Sequence, residues 1–207
     1  MSEEPSRAIV TEIRREIAIV RFNRPAQRSP LSRQTLDQLQ RTTTALFLES
    51  RLRAVIFTGA ADVFAAGADI RELAQLDTTS ALEFSRLGQE LFQTIANARL
   101  ITIAAINGYC MGGALDLALA CDIRVASKAA VFSHPGARLG IITGWGGTQR
   151  LPKIIGRSGA LELFVTARRI DSATALRLGL VTQVEDPILD CALKLAERTT
   201  PRLSPTR

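Results

Sequence analysis

Two apolar runs near the start of the chain, Ala8-Ile9-Val10-Thr11 and Ile17-Ala18-Ile19-Val20, flank the charged Arg14-Arg15-Glu16 and predict an antiparallel hairpin. Asn23-Arg24-Pro25 breaks the second strand. From Ser32, a residue suited to capping, the period lengthens to that of a helix reaching about Glu49, with Leu36, Leu39, Thr43 and Leu46 on one face. Arg53 to Gly59 reads as a buried strand. A helix opened by Thr79 or Ser80 then runs to about Asn97, with Leu82, Leu91, Phe92 and Ile95 as its apolar face. Ile101 to Ile106 is the next buried strand, and Ile123 to Ser127 and Ala130 to Ser133 read as two more. A helix from Ser158 to about Ala167, a capped helix within Arg169 to Leu176, and a short strand after Gly179-Leu180-Val181 follow. A last helix starts at Asp186-Pro187, carries Leu193, Leu195 and Ala196, and ends near Thr200-Pro201. Strands alternating with helices place the chain in the α/β class.

Two of the strand-to-helix connections are unusual in composition. After Ile106 comes Asn107-Gly108-Tyr109-Cys110-Met111-Gly112-Gly113-Ala114-Leu115-Asp116, a turn that leads to a glycine pair and then a helix-forming segment. After Gly59 comes Ala60 to Ile70, a loop of small residues that becomes a helix near Asp69. Backbone amides at a helix start lack intrahelical acceptors and feel the positive end of the macrodipole, so the amides at Ala68 and Gly113 are candidate anion sites. Asp116 lies three residues after Gly113 and shares its helix face, which sets a carboxylate beside the atom those amides would polarise. Each feature also has a purely structural use. Glycine pairs let helices pack on strands, and Asp69 and Asp116 can serve a helix dipole or cap.

At 207 residues and 46% hydrophobic content the chain suits one domain, with a core from about 8 to 185 and a terminal helix from about 187 to 200. No apolar run reaches membrane-span length, and Met1-Ser2-Glu3-Glu4-Pro5 has neither the basic nor the apolar region of a secretory signal, so a cytoplasmic location is the default expectation. Cys110, Cys121 and Cys191 are odd in number and sit in apolar surroundings, as expected of buried reduced thiols. His134 is the single histidine, so no metal site is expected. A net charge of +6 favours acidic partners. The basic residues are scattered, mostly arginine, with no block interleaved with aromatics, which argues against nucleic acid as the partner.

Phe64-Ala65-Ala66-Gly67-Ala68-Asp69-Ile70, Asn107 to Gly113, Cys121-Asp122-Ile123-Arg124 and Gly146-Gly147-Thr148-Gln149-Arg150-Leu151-Pro152 together resemble the enoyl-CoA hydratase/isomerase (crotonase) superfamily, over about Asn23 to Val184. The resemblance implies a spiral of ββα units, an acyl-CoA thioester as ligand, no cofactor beyond the coenzyme A of that ligand, and a homotrimer or dimer of trimers; the C-terminal helical part, longer in most of the family, is expected to be short or truncated in this sequence. It implies that the amides of Ala68 and Gly113 form an oxyanion hole holding a thioester enolate. Ala66, Gly67, Asp69, Ile70, Tyr109 and Gly112 then become substrate-binding positions, and Arg28 meets coenzyme A phosphates. Asp116 stands where the family has its first catalytic glutamate, and Gly136 stands where hydratases have the second. Asp116 is thus the single expected carboxylate acid or base, His134 is a candidate replacement, and Trp145 lines the acyl pocket or packs in the core. Two readings stay open: an enzyme of the family, or an acyl-CoA-binding protein that has lost turnover.

Overall fold

The computed structural model describes residues 7–199. The opening hairpin forms as expected from β1 (Ile9–Arg14) and β2 (Ile17–Phe22), paired antiparallel. β3 (Pro30–Leu31) leads into helix α1 (Arg33–Leu48), where the Ser32 hydroxyl accepts from the Thr35 amide at 3.1 Å. The predicted face of α1, Leu36, Leu39, Thr43 and Leu46, is buried. Each fully enclosed leucine there contributes about 2 kcal/mol.

From here each unit sends one strand to a main sheet and a shorter one to a second layer. β4 (Ala54–Thr58) is followed by β5 (Val63–Ala65) and β6 (Gly67–Ala68), then the single-turn α2 (Ile70–Leu73) and the long α3 (Thr78–Ala96). β7 (Ile101–Ile106) is followed by β8 (Tyr109–Met111) and α4 (Gly113–Ala120). β9 (Ile123–Ala126), β10 (Val131–Ser133), α5 (Gly147–Ile155), α6 (Arg157–Thr166), β11 (Ile170–Asp171), α7 (Ser172–Arg177), β12 (Gln183–Val184) and α8 (Ile188–Glu197) complete the chain. The main sheet runs β1-β2-β4-β7-β9-β12, and the second β11-β10-β8-β5. That repetition is the spiral of ββα units.

β4 is buried along its whole length because both sheet faces are covered. Val55 and Phe57 face the larger core with Leu36, Phe92 and Leu117, while Ala54 and Ile56 face a smaller one closed by Ile188, Cys191 and Ala192 of α8. The Cys121-Asp122-Ile123-Arg124 motif serves this frame. Asp122 accepts from the Thr102 amide and hydroxyl, both at 2.9 Å, and the buried Arg124 donates to the carbonyls of Leu180 and Cys121. Cys110, Cys121 and Cys191 are buried and unpaired, and burial pushes the Cys121 thiol up to about 12. Among the described residues no helix is long and apolar enough to cross a membrane.

Several expectations are corrected. The loop of small residues after Gly59 contains β5 and β6, and the Asn107-Gly108 turn leads to a strand, β8, before the glycine pair. Asp77 caps α3 in a reciprocal capping box with Ser80, and Leu82 is 52% exposed, off the apolar face assigned to it. α5 lies where the sequence suggested no helix, and α6 begins one residue before Ser158. The expected end of the last helix, Thr200-Pro201, lies outside the described residues.

Asn107 ties the two unusual connections together. Its side-chain nitrogen donates to the carbonyls of Ala61 (2.8 Å) and Val63 (3.2 Å), and its oxygen accepts from the Gly59 amide at 2.9 Å. The Tyr109 amide adds a bond to the Asp62 carbonyl at 2.9 Å. Replacing Asn107 with alanine removes all three side-chain bonds, with an expected loss of about 2–4 kcal/mol of stability, to be read from urea unfolding.

Candidate active site

The two tied connections meet beside a largely apolar cavity of about 310 Å³. Ala68 comes to it at the end of β6, and Gly113 comes to it as the first residue of α4. Gly113 therefore carries an amide with no intrahelical acceptor. The amide before it, on Gly112, is already given to the Ser133 carbonyl at 2.9 Å. Gly112 adopts φ 53°, ψ −122°, a conformation that a side chain would strain. Gly67 lets the two segments touch, since a Cβ there would lie 2.9 Å from the Gly113 nitrogen and 2.5 Å from the Met111 carbonyl oxygen. Only one of the two amides opens a true helix. Ala68 belongs to a strand, and α2 beyond it is a single turn capped by Asp69, which corrects the expectation of two converging helix N-termini.

Trp145 both packs and lines the cavity. Its ring meets Phe84 and Phe92 edge-on at 5.2 Å and 5.7 Å, its Nε1–H donates to the Phe84 carbonyl, and it lies flat enough on α4 that a Cβ at Gly113 would be 2.2 Å away. Ala66, Ile70, Gly112, His134 and Gly136 line the same space.

Asp116 does not reach it. The carboxylate is fully buried behind the cavity wall, where its Oδ2 accepts a hydrogen bond from the Thr143 hydroxyl and the backbone of Trp145 and Gly147 lies close by. Gly147 is a requirement of this seat, because a Cβ there would lie 2.0 Å from the Asp116 Oδ1. Burial raises the Asp116 carboxyl to about 7, against the pull of Thr143 and Arg150. His134 stands at the cavity wall with its Nε2 3.5 Å from the Asp116 Oδ1, and neither atom has a hydrogen-bond partner. Burial depresses its imidazole to about 4, so the contact is not an ion pair near neutrality. Gly136 is hemmed in as well. A Cβ there would meet the Ile141 carbonyl oxygen at 2.6 Å, so no side chain fits at this position unless that backbone moves.

A second hollow of about 640 Å³ shares Ala66, Ala68, Ile70 and Pro135 with the first. Arg28 and Tyr109 line it, the guanidinium 5.1 Å from the ring centre and 3.4 Å from Asp62. Asp69 lies there too, tied to Arg71 at 3.0 Å and held below its usual range by that guanidinium. Arg71, Arg138 and Arg169 join Arg28 to make the hollow basic. Local pattern carries no sign of that grouping, because the four residues come from segments far apart in the chain, Arg71 from α2 among them. Thr143 was missed for the same reason.

Fold and cavity together define an α/β scaffold in which the Ala68 and Gly113 segments line one apolar space. The family model for enoyl-CoA hydratase/isomerase matches residues 12–204, and the chain belongs to that family. It is 37% identical over 193 residues to a short-chain-enoyl-CoA hydratase of Clostridium acetobutylicum, covering 92% of this chain and 74% of the relative. A crotonyl-CoA hydratase of Syntrophomonas wolfei is 39% identical over 180 residues, covering 86% of this chain and 69% of the relative. The solved structure of DspI from Pseudomonas aeruginosa superposes with a TM-score of 0.89 at 34% identity, covering 97% of this chain and 85% of that one.

The two buried groups act oppositely on stability. Asp116, raised to about 7, favours the folded state at low pH, and its contribution is lost as pH rises from about 4 through 7. His134, lowered to about 4, contributes stability above its unfolded value of 6.5 that is lost as pH falls towards 4. In the wild type these slopes offset each other. The stability of Asp116→Asn relative to wild type is therefore expected to rise between pH 4 and 7, by up to about 1.4 kcal/mol per pH unit, in denaturant titrations across that window. His134→Gln should change in the opposite direction.

Proposed function

We propose that the protein transfers a proton at the carbon next to the thioester carbonyl of an acyl-CoA, with the amides of Ala68 and Gly113 holding the enolate oxygen and Asp116 as the single carboxylate acid–base. The observation that carries this reading is the meeting of the Ala68 and Gly113 segments at one apolar cavity that joins an arginine-lined hollow. An acyl chain fits the first and the phosphates of coenzyme A the second, where Arg28, Arg71, Arg138 and Arg169 supply charge and the backbone about Ala66 a bed for adenine. Two amides aimed at a developing oxyanion contribute about 3 kcal/mol each when water is excluded.

Within the family the chain is better suited to moving a double bond than to adding water. Hydration asks one group to activate water and another to handle the second proton, and Gly136 stands where that second group belongs. A shift from 3-enoyl to 2-enoyl thioester needs only one group that takes a proton and returns it. The second reading, an acyl-CoA-binding protein without turnover, is favoured by the same Gly136.

Absorbance assays with crotonyl-CoA and a 3-enoyl-CoA in parallel separate these readings. Isomerisation exceeding hydration is expected in the wild type, and a drop of about 10²-fold or more in Asp116→Asn. Gly113→Pro removes one amide but also sets a Cβ against Trp145, as Gly113→Ala does with the amide kept, so with both checked for folding by circular dichroism the proline variant should be slower than the alanine variant by about 10²-fold or more. Tight binding with turnover of neither substrate would favour the binding protein.

A further inference from the structure

The carboxylate assigned above as acid–base is fully buried and does not line the space an acyl group would occupy, whereas the only histidine in the chain does. Aspartate is one methylene shorter than glutamate and reaches less far from its helix. The imidazole of His134 is buried at the cavity wall beside it. Its Nε2 lies 3.5 Å from the Asp116 Oδ1, and both atoms are buried and otherwise unpartnered, so each can satisfy the other and nothing else does. The ring is steadied by Phe164 at 4.9 Å, and the carboxylate by Thr143.

We propose that His134 is the catalytic residue that exchanges the proton with the acyl ligand, and that Asp116 acts through it as a positioning and charge-balancing residue. This deepens the enolate reading and rests on it. The proton at C2 passes to the ring nitrogen facing the cavity, and the C2–H electron pair moves into the enolate, whose oxygen accepts from the two amides. The second ring proton, on Nε2, is held by Asp116, so an imidazolium forms beside a carboxylate. Return of the proton to C4 gives the conjugated product and restores the neutral ring, with no other reactant consumed. The arrangement replaces the two carboxylates of a hydratase with a carboxylate–imidazole pair. Other charged or titratable groups facing the pair are Arg150 from α5, which draws the carboxyl down, and the Cys110 thiol from β8. α6 presents Phe164, which is uncharged.

A lone histidine makes the test direct, because its ring nitrogens can be followed by ¹⁵N NMR without assignment. In the ligand-free wild type the ring should stay neutral at pH 6 and report a titration near 7 that belongs to the carboxyl. In Asp116→Asn that step should vanish. A ring that titrates identically in both proteins, or as an ordinary solvent-exposed imidazole, would overturn the pairing. The catalytic part is read from deuterium exchange at C2 of butyryl-CoA in D₂O, with affinity measured separately by calorimetry. His134→Gln should slow exchange about 10²-fold or more at little change in affinity, and Asp116→Asn/His134→Gln should be no slower than His134→Gln alone. Full exchange in His134→Gln together with its loss in Asp116→Asn would return the role to Asp116. Absence of exchange in a wild type that binds the thioester would instead defeat the enolate reading, leaving the pairing to be judged by the ring titration.

Discussion

The fold depends on holding two backbone segments, Ala66 to Ala68 and Gly112 to Gly113, against each other without side chains in between. Asn107 supplies the tie, and the absence of a Cβ at Gly67 and Gly113 supplies the room. Both segments follow strands of the main sheet that are themselves neighbours, β4 and β7, so the sheet fixes their spacing before any local interaction acts. Under the proposed function, backbone donors fixed in this way would meet a developing oxyanion without having to reorganise.

The site grows outward from that contact. Trp145 leans on Gly113 and stiffens the start of α4, and the residues around Trp145 enclose Asp116 through Thr143 and Gly147. The same burial that raises the carboxyl to about 7 lowers the imidazole of His134 to about 4, since an apolar wall disfavours either charge. Two groups that would each be costly alone become tolerable as a neutral pair between about pH 4 and 7, with only the carboxyl close to titrating near neutral pH.

Much of the frame is legible in the sequence. The apolar periodicity of α1 and the continuous apolar runs of β4 and β7 follow from local pattern, and their burial confirms the readings. Of the second sheet the run Ala130 to Ser133 announces β10, whereas β5 and β8 escape such reasoning because they are only three residues each and owe their strand character to partners far away in the chain. α5 was hidden by the glycines at its start and by Pro152 within it. In the candidate site, the small-residue turns that carry Ala68 and Gly113 were legible as turns after strands, and both residues line the cavity. The depth of Asp116, the gathering of Arg71, Arg138 and Arg169 around Arg28, and the closeness of His134 to Asp116 are products of tertiary packing and left no such trace.

The central claim is that two main-chain amides take hold of one thioester oxygen. Isotope-edited infrared difference spectra of butyryl-CoA labelled with ¹³C at the carbonyl test it without requiring turnover. The account predicts that the carbonyl band of the bound thioester moves to lower wavenumber, and that Gly113→Pro shifts it back towards the solution position. A bound thioester whose carbonyl absorbs as it does in water, unchanged by that substitution, would contradict it.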